Sequence, residues 1–134
     1  MSTSRFVSAT TILPVSDARQ SAHFYADNLG FTILGVWKSG KDSYYASVKR
    51  DRVVLEFGEG RPEHVGSGVC HIEVENPDLL YQQCLSKPLV LVGDLADRDY
   101  GERDFRVRDN SGNLLIFGTP LADKDQLLAQ QNLL

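Results

Sequence analysis

Thr10-Thr-Ile-Leu-Pro-Val-Ser-Asp17 opens on β-branched and aliphatic residues and ends on Ser16-Asp17, a pair that favours a helix N-cap over further strand. Ala18 to Leu29 follows with helical spacing of apolar residues, and Gly30 stands where a helix C-terminus needs a left-handed residue. The same order returns in the second half. Thr10-x-Ile-x-x-x-x-Asp17 is matched by His71-x-Glu-x-x-x-x-Asp78, and Phe57-Gly58 by Phe117-Gly118. The repeat predicts two tandem modules of roughly 60 residues each.

Working outward, Phe31–Lys38, Ser43–Lys49 and Asp51–Gly58 read as strands, parted by Ser39-Gly40-Lys41-Asp42 and by a tight turn near Arg50-Asp51. Residues 59–68 have linker chemistry. Beyond them come a strand at Val69–Glu75, a helix from Pro77-Asp78 to about Leu85, and strands at Leu89–Val92, Asp104–Arg108 and Asn113–Thr119. Each half is thus β-α-β-β-β. The expectation is a single α+β domain over residues 1–134, with modules at 6–58 and 69–120, a concave mixed sheet and the helices on its outer face. A C-terminal helix over Ala122–Leu134 carries Leu127, Leu128, Leu133 and Leu134 for docking or for a partner.

The chain has 134 residues, 42% hydrophobic and 24% charged, enough to bury one core. A formal net charge of −4 provides no basic footprint for nucleic acid. No apolar run approaches the roughly 20 residues that span a bilayer, and Met1–Ser8 lacks the pattern of a leader. These features predict a cytosolic protein without nucleic-acid or membrane partners. Cys70 and Cys84 stand outside any CxxC spacing and read as small buried hydrophobes.

Strand alternation sorts the side chains into two faces. Leu13, Val15, Leu55, Phe57, Ile72, Phe105, Val107, Leu115 and Phe117 make one almost wholly apolar face, the surface for the helices. The other holds Thr10, Ile12, Tyr45, Val54, Glu56, His71, Glu73, Arg106 and Ile116. Such a mixture of aliphatic, aromatic and ionisable groups suits a ligand-lined concavity, or a face that meets a second subunit. Gly58-Glu-Gly60 runs into Arg61-Pro62 and is no dinucleotide loop, and Asp97-x-Asp99-x-Gly101 lacks the remaining ligands of a calcium loop. His23 and His64 read as an exposed helix residue and a linker residue.

Leu13-Pro-Val-Ser-Asp17, Ser21-x-x-Phe24-Tyr25-x-x-x-Leu29-Gly30-Phe31, Val53-Val-Leu-Glu-Phe57 and Arg108-Asp-Asn-Ser-Gly-Asn-Leu-Leu-Ile-Phe117 together resemble the vicinal-oxygen-chelate superfamily of glyoxalases, extradiol dioxygenases and bleomycin-resistance proteins. Tyr100-Gly-Glu-Arg-Asp-Phe105 is similar to the W-G-x-R-E-F segment of the bleomycin-resistance branch. In the superfamily's enzymes the resemblance implies four metal-ligand positions, here Thr10, Glu56, His71 and Ile116. Glu56 and His71 are the candidate metal ligands; Thr10 is a poor neutral ligand and Ile116 has no donor. The expected cofactor is therefore none, with a divalent metal ion as the alternative.

The bleomycin-resistance likeness implies a non-catalytic homodimer that sequesters a flat, cationic, bleomycin-like drug between its subunits. It places stacking aromatics at Tyr45 and Tyr100, and a ligand site of Tyr45, Glu56, His71, Glu73, Tyr100 and Arg106. The acidic run Asp94, Asp97, Asp99, Glu102 and Asp104 reads either as a solvated loop or as a field drawing cations inward. The alternative activity is that of a metal-dependent lyase or dioxygenase of the glyoxalase I or extradiol type.

Overall fold

The first strand, β1 (Thr11–Pro14), gives way to α1 (Ala18–Leu29) at Asp17, whose carboxylate accepts the Gln20 N–H at 2.9 Å. Gly30 ends the helix at φ 69°, a left-handed conformation that favours glycine. β2 (Thr32–Lys38), β3 (Tyr44–Arg50) and β4 (Val53–Gly58) then form a meander, and β1 returns parallel to β4 to make a sheet of order β1-β4-β3-β2. The computed structural model describes residues 2–134.

After a 3-10 turn at Pro62–His64 the pattern repeats. β5 (Val69–Glu73), α2 (Pro77–Cys84), β6 (Val90–Asp97), β7 (Glu102–Arg108) and β8 (Leu114–Pro120) give a second sheet of order β5-β8-β7-β6. β1 and β5 do not pair, so hydrogen bonding divides the expected mixed sheet into two four-stranded ones. The C-terminal helix α3 covers only Lys124–Gln131, shorter than expected, and buries none of its residues.

The repeat is real, but its front register differs from the expected one. His71 pairs with Ile116 in the second sheet, and it is Ile12 that pairs with Glu56 in the first. His71 therefore corresponds to Ile12 rather than Thr10, which lies before β1 and outside the ladder. The N-caps agree: Asp17 opens α1, and α2 is opened by Asn76, whose side chain accepts the Leu79 N–H at 3.2 Å, rather than by Asp78. Asn and Asp cap equally well, so the aspartates were the wrong residues to align. β6 also continues to Asp97, through residues expected to be loop. Two register shifts, around Gly93, break the alternation that would have marked it as strand.

One buried cluster runs through both modules, from Leu13, Tyr25 and Phe57 to Ile72, Phe105 and Phe117. Tyr25 packs on Phe57 with ring centroids 4.6 Å apart, and Phe105 on Phe117 at 5.4 Å. Cys70 and Cys84 are free and buried, and burial raises both thiols, keeping them protonated and inert.

The modules are joined by Asp109-Asn-Ser-Gly-Asn113 at the β7–β8 turn. Asp109, 5% exposed, accepts the Tyr25 hydroxyl at 2.7 Å, the backbone N–H of Ser111 and Asn113 at 2.9 Å each, and Asn113 Nδ2 at 3.2 Å. Asn113, fully buried, donates to the Pro14 carbonyl and accepts the Gly68 N–H. The corresponding turn of the first module is only Asp51-Arg52, and the residue corresponding to Tyr25 is Cys84. Beside the shorter turn lies a groove of about 640 Å3, lined among others by Arg52, Val53, Glu75 and Leu80. The modules are thus pseudo-symmetric, with one notch filled and the other open.

Candidate ligand-binding site

On the face of the first sheet away from α1, Trp37 and Tyr45 are cross-strand partners, and their rings stack with centroids 5.0 Å apart and planes 25° apart. Both stay exposed, at 43% and 37%. The indole lies across Gly35, where a Cβ would meet its ring carbon at 2.3 Å. Glu56 is half-buried on the same face, opposite Ser47 in the ladder, with Ile12 and Val54 exposed nearby. Trp37 is a site residue that the sequence reading did not select. The signal was Gly35 two positions before the indole, a bare patch of backbone on the same side of the strand. Gly35→Ala should displace the indole, and its expected mark is a shift in Trp37 emission with little change in melting temperature.

The second sheet carries His71, Glu73 and Arg106 toward its own face opposite α2, and the β6–β7 turn brings Tyr100 to the same face. The Tyr100 hydroxyl donates to Asp104 Oδ2 at 2.5 Å and accepts from the Arg106 guanidinium at 3.0 Å. Asp104, wholly buried, also accepts from Arg98 Nε at 2.9 Å. The Arg106 stem lies against Gly93. Burial raises the Tyr100 phenol above its ordinary value and the bond to Asp104 adds to this, so the ring stays neutral. Tyr100 is therefore a half-buried ring with its edge fixed, not a free paddle.

Only part of the acidic run is solvated: Asp94, Asp97 and Asp99 are exposed, Asp99 in the turn between β6 and β7. Asp94 and Asp97 lie on β6, Glu102 and Asp104 are buried, and Asp97 accepts from Arg103 at 2.9 Å. Burial takes Glu102 and Asp104 out of any field that reaches a ligand, and the Arg103 pair offsets the charge of Asp97. Arg103 also grips Asp78 with two bonds of 2.9 and 3.0 Å, and these hold the Asp78 carboxyl below its ordinary value. A depressed carboxylate stabilises the fold fully above its unfolded pKa and loses that contribution as pH falls through the folded one. The stability difference between wild type and Arg103→Ala should accordingly begin to shrink as pH falls below about 4 and vanish only below the depressed folded value of Asp78, as urea melts at stepped pH would show.

Metal-ligand positions equivalent by register are Ile12, Glu56, His71 and Ile116. Two isoleucines offer no donor, and Glu56 and His71 stand on different sheets. Among the described residues no group of three or more His, Cys, Asp or Glu side chains is placed to hold a metal ion. The donor set does not fit a catalytic divalent metal. Tyr45 stands on the first sheet and Tyr100 in the β6–β7 turn of the second, so the six expected ligand residues form two half-sites.

Residues 7–117 match the Glyoxalase/Bleomycin resistance protein/Dioxygenase superfamily. A bleomycin resistance protein of Geobacillus stearothermophilus is 34% identical over 124 residues, with 78% of this chain and 90% of the relative covered. An antibiotic binding protein from Streptomyces sp. CB03234 superposes with a TM-score of 0.71 at 20% identity, over 87% of this chain and 99% of that one. The bleomycin-binding protein of bleomycin-producing Streptomyces verticillus, solved with copper(II)-bleomycin, gives a TM-score of 0.64 at 23% identity, over 87% and 98%. With two βαβββ modules and the joining Asp109–Asn113 turn in place, the chain belongs to the glyoxalase/bleomycin resistance protein/dioxygenase superfamily.

Proposed function

We propose that this protein sequesters a flat, cationic, antibiotic-like ligand without chemical change, in a cleft that two copies build by setting the first sheet of one against the second sheet of the other. The observation that carries this reading is the pair of unfinished half-sites. Trp37 and Tyr45 form an exposed aromatic shelf on one sheet, and Tyr100 is held rigid by Asp104 and Arg106 on the other. Apposition by a two-fold axis would bring shelf and ring together twice and cover Ile12, Val54 and Val69, which stand 61%, 39% and 61% exposed. Glu56 and Glu73 supply negative charge for a ligand cation. The curated bleomycin resistance relative supports the same ligand class. Two free buried thiols fit a reducing, cytosolic setting.

Calorimetric titration with bleomycin and other planar cations, run beside light scattering, tests the proposal. A dimer that binds such a compound with quenching of Trp37, and more weakly as salt rises, is the expected result. Each stacked ring contributes about 0.5–1.5 kcal/mol. Tyr100→Ala should therefore weaken binding about tenfold, equivalent to ~1.4 kcal/mol. A monomer at micromolar concentration, or turnover of a hemithioacetal or catechol with added metal, would overturn it.

A further inference from the structure

Glu102 opens β7 and is only 5% exposed, an unusual place for a carboxylate. One oxygen, Oε1, accepts from Lys124 Nζ at 2.8 Å and lies 3.7 Å from His71 Nε2. The other, Oε2, is sealed from solvent and has no hydrogen-bond partner among the described residues. A buried carboxylate oxygen without a donor is costly, so this pocket has more capacity for N–H donors than Lys124 uses. Lys124 is held charged chiefly by its bond to Glu102, with Glu73 acting on it through space.

The element that delivers Lys124 is loosely held. α3 buries no residue. Besides the lysine, it is tied by Gln131 Nε2 to the Asp99 carbonyl at 2.8 Å, while the Leu121 N–H just before it bonds the Gly101 carbonyl, also at 2.8 Å. Gly101, at φ 86°, lets the first residue of α3 settle on bare backbone, since a Cβ there would stand 2.7 Å from Lys124 Cγ. Three polar ties, with Leu127 only partly buried and no apolar side chain of α3 fully so, mark a segment that opens at small cost.

We infer that Glu102, together with His71, forms a binding site for a primary ammonium group, filled in the free chain by Lys124 and opened to a ligand amine when the C-terminal helix swings away. The site rests on the cationic-ligand reading for its natural occupant, but not for its chemistry. A tethered lysine ammonium offers the same three donors as an alkylamine, and the unused Oε2 can take one that Lys124 does not direct to it.

Chemical rescue tests this on the full chain. Lys124→Met keeps the aliphatic stem over Gly101 and removes the ammonium, and should lower the melting temperature by about 3 °C. Propylammonium chloride should recover at least half of that loss, by mass action on the vacated site. Tetramethylammonium at equal ionic strength has no N–H donor and should not. Glu102→Gln combined with Lys124→Met should abolish the response. In the wild-type chain, propylammonium should speed amide exchange across residues 124–131 more than tetramethylammonium does, a measurement independent of how well the variants fold. Equal effects of the two salts, rescue that survives Glu102→Gln, or no effect in either experiment would overturn the inference. Rescue without binding of any planar cation would retire the drug-sequestering reading and keep this site. Planar-cation binding without rescue would do the reverse.

Discussion

Asp109→Ala is expected to lower the stability of the fold by about 3–5 kcal/mol, because it strands several buried donors at once. The Tyr25 hydroxyl and the Ser111 and Asn113 backbone N–H groups lose their acceptor, the Asn113 amide keeps only the Pro14 carbonyl, and water cannot reach the most buried of them. For a domain of this size the loss corresponds to roughly 10–15 °C in melting temperature. Tyr25→Phe removes a single hydroxyl and should cost about 1–1.5 kcal/mol. The two substitutions should fall well short of additivity when combined, since they share one bond. Urea melts of the three variants and wild type would measure the cycle. An Asp109→Ala protein that melts within a degree of wild type would mean that the joining turn is ornamental.

Asp104→Ala is expected to act on stability and binding together. The carboxylate is completely buried and accepts from Arg98 and Tyr100, so its removal leaves a guanidinium and a phenol without their shared acceptor. The cost should be about 2–4 kcal/mol, below that of a fully buried pair, because Arg98 reaches solvent and keeps its bonds to the Asp94 and Asp104 carbonyls. Tyr100 then turns freely and Arg106 loses its hydrogen-bonded stop. Binding of a planar cation should fall at least as far as in Tyr100→Ala, although Asp104 itself is sealed from any ligand. Asp104→Asn, which keeps the shape and one acceptor, should fall between the two. Calorimetry below the melting temperature of the weakest variant separates the effect on affinity from that on folding.

Much of the fold was legible because α1 and most strands declare themselves locally, through alternation, N-caps and Gly30. The repeat was legible too, but aligning Asp17 with Asp78 shifted its front by two residues. That error moved the supposed partner of Glu56 from Ile12 to Thr10. Only the parallel pairing of β1 with β4 and of β5 with β8 settles which residues correspond, and pairing partners lie far apart in sequence. Glu102 and Asp104 were read as surface charge because runs of acids usually are. Their burial comes from Arg98, Tyr100 and Lys124 closing over them, which no local pattern announces. Trp37 was missed for a related reason: its importance lies in facing Tyr45 across the hairpin and in lying over the bare backbone of Gly35.

The Asp109–Asn113 turn also governs the order in which the chain can acquire its structure. Tyr25 finds its acceptor 84 residues downstream, and the Pro14 carbonyl finds its donor 99 residues downstream. A chain emerging from the ribosome thus carries the whole first module, helix included, long before the group that completes it exists. Closing loops of that length slows folding, and during synthesis the first sheet waits with its aliphatic face incompletely covered. Although the halves look like copies of one unit, the earlier copy is finished by the later one. Severing the chain in the 59–68 segment should therefore yield two fragments that acquire native structure only when mixed.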